Sequence, residues 1–178
     1  LNEVSGALAI FENFINKFNN SELCEMAYYR LGTLYYGQNN FFRARENFKA
    51  LLQKYPESEY QGSALYWIGK AYFAENKFSD AEEFLNEAIS VGKNNKYIDF
   101  SIYTLANLYE ENGDYTNAVT YYDELLAYYK SSNLIPYAQY RIGVCYFKLN
   151  EYNSAVLELS DPIIDKLPNN YKLEAKYL

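Results

Sequence analysis

The chain has 178 residues, with 16 Lys and Arg against 23 Asp and Glu, a net charge of −7 and a pI near 4.7. That acidic balance argues against a nucleic-acid backbone or an anionic membrane as partner, and no apolar run approaches the ~20 residues that span a bilayer. Histidine is absent, whereas 22 Tyr and 11 Phe make the chain rich in rings that must carry much of the packing.

Residues 1–18 place Ala7, Leu8, Phe11, Phe14, Ile15 and Phe18 at helical spacing, on one apolar face. The connector "NNSEL" follows, with Ser21 as helix N-cap. The next helix contains "AYYRLGTLYYG", where Leu31, Leu34 and Tyr35 face a partner helix and Gly32 permits close approach. "QNN" makes the turn, because Asn tolerates the left-handed conformation that ends helices. "FFRARENFKALLQKY" is the second helix of the pair, with Ala44 as its small contact residue and Pro56 as its stop.

A second pair is expected over about 58–75 and 78–91, opened by a Ser58/Gln61 capping box and stopped by Gly92. A third runs over about 96–111 and 115–129, joined by "NGD", where Gly113 supplies the left-handed turn and Asp114 the cap. A fourth runs over about 135–149 and 152–160. Asp161-Pro162 then falls where its second helix should continue, which predicts an early end or a kink near Asp161. Pro168 breaks the chain again before a last partial helix.

These pairs are copies. A fixed step of 37 residues joins Ala44, Ala81, Ala118 and Ala155, and also Tyr35, Tyr72, Tyr109 and Tyr146. It joins Gly32, Gly69, Ala106 and Gly143, and Phe41, Phe78, Tyr115 and Tyr152. A constant period of this length is the mark of a stacked array, in which each pair buries its apolar face only against its neighbours. The expected fold is all-α: a right-handed superhelical solenoid of helix-turn-helix repeats, one array over residues 1–178. It divides into a partial repeat (1–20), full repeats over about 22–56, 58–92, 95–131 and 134–167, and a partial repeat (169–178). Residues 1–18 read as a second helix without its first, and the last residues as a fifth first helix, so the sequence reads as a piece of a longer array with apolar ends. Cys24 and Cys145 lie three repeats apart, so no bridge between them is expected, since repeats touch only neighbours and a disulfide needs Cα atoms within about 7 Å.

The pattern Leu65, Ile68, Gly69, Tyr72, Ala81, Leu85 and Ala88, repeated as Tyr28, Leu31, Gly32, Tyr35, Ala44, Phe48, Leu51 and Pro56, resembles the tetratricopeptide repeat. The resemblance covers essentially the whole chain. It departs from the family pattern in its longer period, in having the closing proline in one copy only, and in Pro162 within the fourth copy. The 37-residue copies, Tyr55-Pro56-Glu57-Ser58 between two of them and "A-x-Y-x-x-G" in the first helix resemble a bacterial cell-envelope subgroup of non-enzymatic scaffolds. Its members include a Tol-Pal-associated periplasmic coordinator and an outer-membrane assembly lipoprotein. The resemblance implies a periplasmic or envelope location, with a cytoplasmic adaptor as the alternative.

In this family the first helices line the concave face. The stripe on that face reads Tyr29, Tyr66, Tyr103 and Tyr140, then Tyr36, Phe73, Glu110 and Phe147, with Lys70 and Asn107 between. An aromatic ladder with one cation and one anion suits an extended segment or helix of a protein partner. The alternative is that the four tyrosines pack against neighbouring helices and serve only the fold. Family members that grip a C-terminal carboxylate use Lys or Arg where this chain has those tyrosines, and only Asn107 fits their pattern, so that partner class is disfavoured. Self-association through the array ends is a further possibility.

Catalysis is not expected. The chain has no His for proton transfer or metal binding, no Gly-rich phosphate loop and no CxxC or HExxH spacing. Its adjacent acids, such as Glu82-Glu83, splay about 100° apart on a helix and read as solvated faces. No cofactor and no metal are expected.

Overall fold

The computed structural model describes residues 2–178, and among them are ten α-helices in sequential antiparallel pairs. They fall into two compact units that divide between Ile98 and Asp99. The first contains α1 (Asn2–Lys17), α2 (Leu23–Gly37), α3 (Phe41–Lys54), α4 (Gln61–Ala74) and α5 (Phe78–Ser90). The second contains α6 (Ile98–Glu111), α7 (Tyr115–Tyr128), α8 (Ile135–Lys148), α9 (Tyr152–Leu159) and α10 (Asn169–Tyr177). Short 3-10 turns cover Gly92–Asn94 and Pro162–Lys166.

The columns of the sequence repeat are the contacts within each pair. A Cβ placed on Gly32 would stand 2.5 Å from the Phe48 ring, one on Gly69 2.8 Å from Leu85, and one on Gly143 2.5 Å from Leu159. Ala44, Ala81, Ala118 and Ala155 are all buried. Leu31 and Tyr35 join this core, whereas Leu34 is half-buried.

The turns inside the pairs also repeat. Asn39, Asn76 and Asn150 have φ of 59°, 57° and 63°, and Gly113 has 79° in the same column. The next residue's amide then donates back to the carbonyl of Tyr35, Tyr72, Tyr109 or Tyr146 at 2.9–3.0 Å, which satisfies the end of the first helix. Asn40 and Asp114 cap the following helices by accepting from the amides of Arg43 and Asn117.

The connectors between pairs hold a correction. Ser58 and Gln61 do not form a capping box, because α4 starts at Gln61, which is too early in the helix to serve as the third residue. Ser58 Oγ instead accepts from the Tyr60 amide at 3.1 Å and donates to Glu25 at 2.6 Å. The same column turns the chain at three other connectors: Ser21 accepts from the Leu23 amide, Asn95 from Tyr97 and Ser132 from Leu134. Ser132 also donates to Asp99 at 2.6 Å. In the connector between these two, Gly62 stands where the acid would be, and a Cβ there would fall 2.5 Å from Asn95 Cβ. Asn95 donates to the Ala88 carbonyl at 2.8 Å.

Within the first unit, Arg45 of α3 is buried, stacks 4.3 Å from the Tyr72 ring centroid and pairs with Glu75 at 2.8 Å. In the second unit α9 stops at Leu159, as Pro162 predicts. Asp161 accepts from the Ile163 amide, and the 3-10 turn that follows brings Ile164 and Leu167 against Tyr140. Cys24 and Cys145 are both free and buried.

Candidate functional site

Three of the four ladder tyrosines are buried: Tyr29, Tyr66 and Tyr140 retain 9%, 1% and 2% of their exposure. Each packs on an aromatic residue near the start of the following first helix. Tyr29 stacks on Tyr60 at 4.8 Å and Tyr66 on Tyr97 at 5.0 Å, while Tyr140 meets Tyr171 edge-on at 5.2 Å. Leu134 occupies that column in the remaining copy. There Tyr103 is half-buried and turns to Tyr122, at 5.5 Å, and to the Arg141 guanidinium. Burial, with the Tyr97 hydroxyl second, pushes the Tyr29 phenol up to about 12.

The more open part of the first unit's face is built on α4. Trp67 Nε1 donates to the Tyr29 hydroxyl at 3.2 Å, which fixes the indole. Its ring meets Tyr36 at 4.9 Å, Tyr66 at 5.3 Å and Tyr97 at 5.9 Å. Lys70 lies one turn further along. Its Nζ sits 4.9 Å from the Trp67 ring centroid, 5.4 Å from Tyr66 and 5.7 Å from Tyr36. Burial pushes its ammonium below the usual lysine range. Among the described residues no carboxylate lies within ion-pair distance of it. Phe73, half-buried, packs on Phe78 at 6.0 Å, as Tyr36 does on Phe41 at 5.2 Å.

The second unit treats its charges differently. Arg141 donates to Glu110 at 3.0 Å. The Tyr122 hydroxyl donates to Glu110 at 2.9 Å and lies 2.5 Å from Asn107 Oδ1. Burial first, and Glu110 second, push the Tyr122 phenol far above the usual tyrosine range. Phe147 packs on Tyr152 at 5.6 Å. The structure thus brings Tyr103, Asn107 and Glu110 together in one network, and Tyr29, Tyr36, Tyr66 and Lys70 in another.

Sequence reasoning missed Trp67 and Arg141. They share one column with Arg30 and Thr104, directly beside the tyrosine ladder. That column varies from copy to copy, whereas the columns of Ala44 and Tyr35 are constant. Its variability on a first-helix face was the available signal. Among the described residues no group of three His, Cys, Asp or Glu side chains is placed to hold a metal ion, and no helix is long and apolar enough to cross a membrane.

Fold and face together define an all-α helical-repeat protein whose first helices carry aromatic and charged side chains above a closed core. The chain belongs to the tetratricopeptide repeat family, whose model matches residues 4–96 and 103–170. The repeats of this family are generally protein–protein interaction modules and typically non-catalytic. Among solved structures the chain is similar to MamA, with a TM-score of 0.73, 18% identity, and coverage of 99% of this chain and 90% of that one. It is also similar to YrrB, described as a TPR protein with an unusual peptide-binding site, with a TM-score of 0.73, 21% identity, and coverage of 99% and 85%. The apo form of RapI has a TM-score of 0.84 at 15% identity, with coverage of 98% of this chain and 53% of that one. These likenesses show the fold. No curated protein sequence matches the chain.

Proposed function

We propose that this chain is a non-enzymatic scaffold that binds an extended segment of a protein partner on the first-helix face of its repeats. The carrying observation is the cluster of Tyr36, Trp67, Lys70 and Phe73, half-buried on α2 and α4 with apolar faces and a cation left over from the core. In this reading Tyr29 and Tyr66 form the floor beneath it, and the first helices of the second unit carry Tyr103, Asn107, Glu110, Tyr140 and Phe147. The 37-residue step runs unbroken through residue 98, which supports reading both units as one array. The peptide-binding site named for YrrB is consistent with this use of the fold.

The test is a capture of partners from source-cell lysate by the parent chain and by a Lys70→Ala/Phe73→Ala variant, with circular dichroism showing both folded. A partner held by the parent and lost by the variant supports the face. The same partners on both would overturn it.

The envelope role is the finer part of the proposal and rests on the Tyr55-Pro56-Glu57-Ser58 junction and the "A-x-Y-x-x-G" pattern. The compartment of the captured partner decides between envelope and cytoplasm. A second reading, association of copies, is favoured by the exposed apolar side chains Val156, Leu157, Leu173 and Tyr177. A mass that rises with concentration on a sizing column would support it.

A further inference from the structure

We propose that Lys70 receives the side-chain carboxylate of an Asp or Glu within the bound segment, flanked there by apolar side chains that lie on Trp67, Tyr36 and Phe73. This rests on the reading of the first-helix face as the binding surface and names what that surface selects.

The argument is one of unmatched charge. Other basic side chains near this part of the unit are engaged: Arg45 pairs with Glu75, Lys77 pairs with Glu75, and Lys49 donates to the Tyr72 hydroxyl. Lys70 is engaged only by ring faces. Its Nζ lies within 6 Å of three of them, and no hydrogen bond among the described residues uses its N–H groups. The rings crowd the ammonium without supplying an anion, and burial lowers its proton affinity. An incoming carboxylate would restore the balance in a setting where water screens poorly.

The geometry also selects the kind of anion. A phosphate dianion would need a second cation, and among the described residues Lys70 is the one cation over the Tyr36, Tyr66 and Trp67 rings. A terminal carboxylate gripped at both oxygens would need further side-chain donors beside Lys70. The one indole N–H in reach is committed to Tyr29, which leaves the Tyr36 hydroxyl as the one further donor on the rings around Lys70. A single ammonium rimmed by aromatic faces matches a single side-chain carboxylate set between apolar residues.

The experiment selects extended peptides of about a dozen random residues from a display library whose C-termini are fused to the coat protein, so that no terminal carboxylate is free. The parent is expected to enrich an Asp or Glu flanked by apolar residues. Lys70→Glu is expected to lose that preference and favour Lys or Arg. Lys70→Met keeps the packed stem and serves if the charge reversal does not fold. A selected peptide with its acid changed to Gln or Asn should bind the parent roughly tenfold more weakly but bind Lys70→Met almost unchanged. Peptides enriched without an acidic preference, or with the same preference on Lys70→Met, would overturn this inference and leave the binding face standing. No enrichment by the folded parent would overturn both.

Discussion

Ser58 donates its hydroxyl to the Glu25 carboxylate at 2.6 Å, and two copies later Ser132 makes the same bond to Asp99 at the same distance. Each bond ties the first turn of one first helix to the connector that opens the next pair. Each serine also accepts the amide two residues on, so one hydroxyl both bends the chain and fixes the register between copies. Ser58→Ala and Ser132→Ala are expected to destabilise the chain by about 1–2 kcal/mol each, as the loss of a side-chain turn bond and a charged hydrogen bond. Urea unfolding of the two variants measures this, and a change below a few tenths of a kcal/mol would show the bonds to be ornamental.

Gly62 faces Asn95 with no room for a methyl group. The added Cβ would lie 2.5 Å from Asn95 Cβ and 2.9 Å from its backbone Cα, so relief requires moving the connector. Gly62→Ala should cost about 1–3 kcal/mol despite the better helix propensity of alanine. Its melting temperature, set beside that of Gly37→Ala, tests the point, because a Cβ on Gly37 meets nothing within 4 Å.

Asn76 turns the chain at φ 57°. Asn76→Gly is expected to leave stability nearly unchanged, since glycine adopts this conformation freely. Asn76→Ala should lose about 1 kcal/mol, because alanine bears the same Cβ without the short polar side chain whose local hydrogen bonding lets Asn tolerate this conformation. Thermal melts of both, alongside Gly113→Ala in the equivalent turn, check the ordering.

Tyr122 gives the chain a sensitivity to alkali. Its folded pKa lies well above the value of 10.0 expected for the unfolded chain. The folded state therefore keeps a proton that the unfolded state releases, and stability is full below pH 10 and falls as pH rises above it. Tyrosinate absorbance from this group should appear together with unfolding rather than before it. Tyr122→Phe should flatten the decline while lowering stability at neutral pH, because Glu110 then keeps Arg141 alone.

Much of the fold is written in columns that repeat. Gly32, Gly69 and Gly143 mark close approach, Asn39 and Gly113 mark turns, and Pro162 marks the early end of α9, each through a constraint local enough to read from one residue type. What escaped reading depends on partners in another copy. Ser58 looked like half of a capping box because its true partner, Glu25, belongs to the previous pair. Tyr29 and Tyr66 looked like an open ladder because Tyr60 and Tyr97, which cover them, lie outside the helix pair that carries them. Glu110 looked like a free anion on the face because its neutralising Arg141 comes from the following copy. Trp67 and Arg141 themselves were invisible to a search for constancy.

The connectors carry one more implication. Acid with serine, glycine with asparagine, then acid with serine again make two kinds of joint that alternate over the connectors from Ser58 to Ser132. Its copies are therefore not freely interchangeable parts. Excising one copy would set Glu25 against Asn95, whereas excising two would set Glu25 against Ser132 and restore a matched joint. Editing this protein by shortening or lengthening it should succeed in steps of two copies and fail in steps of one.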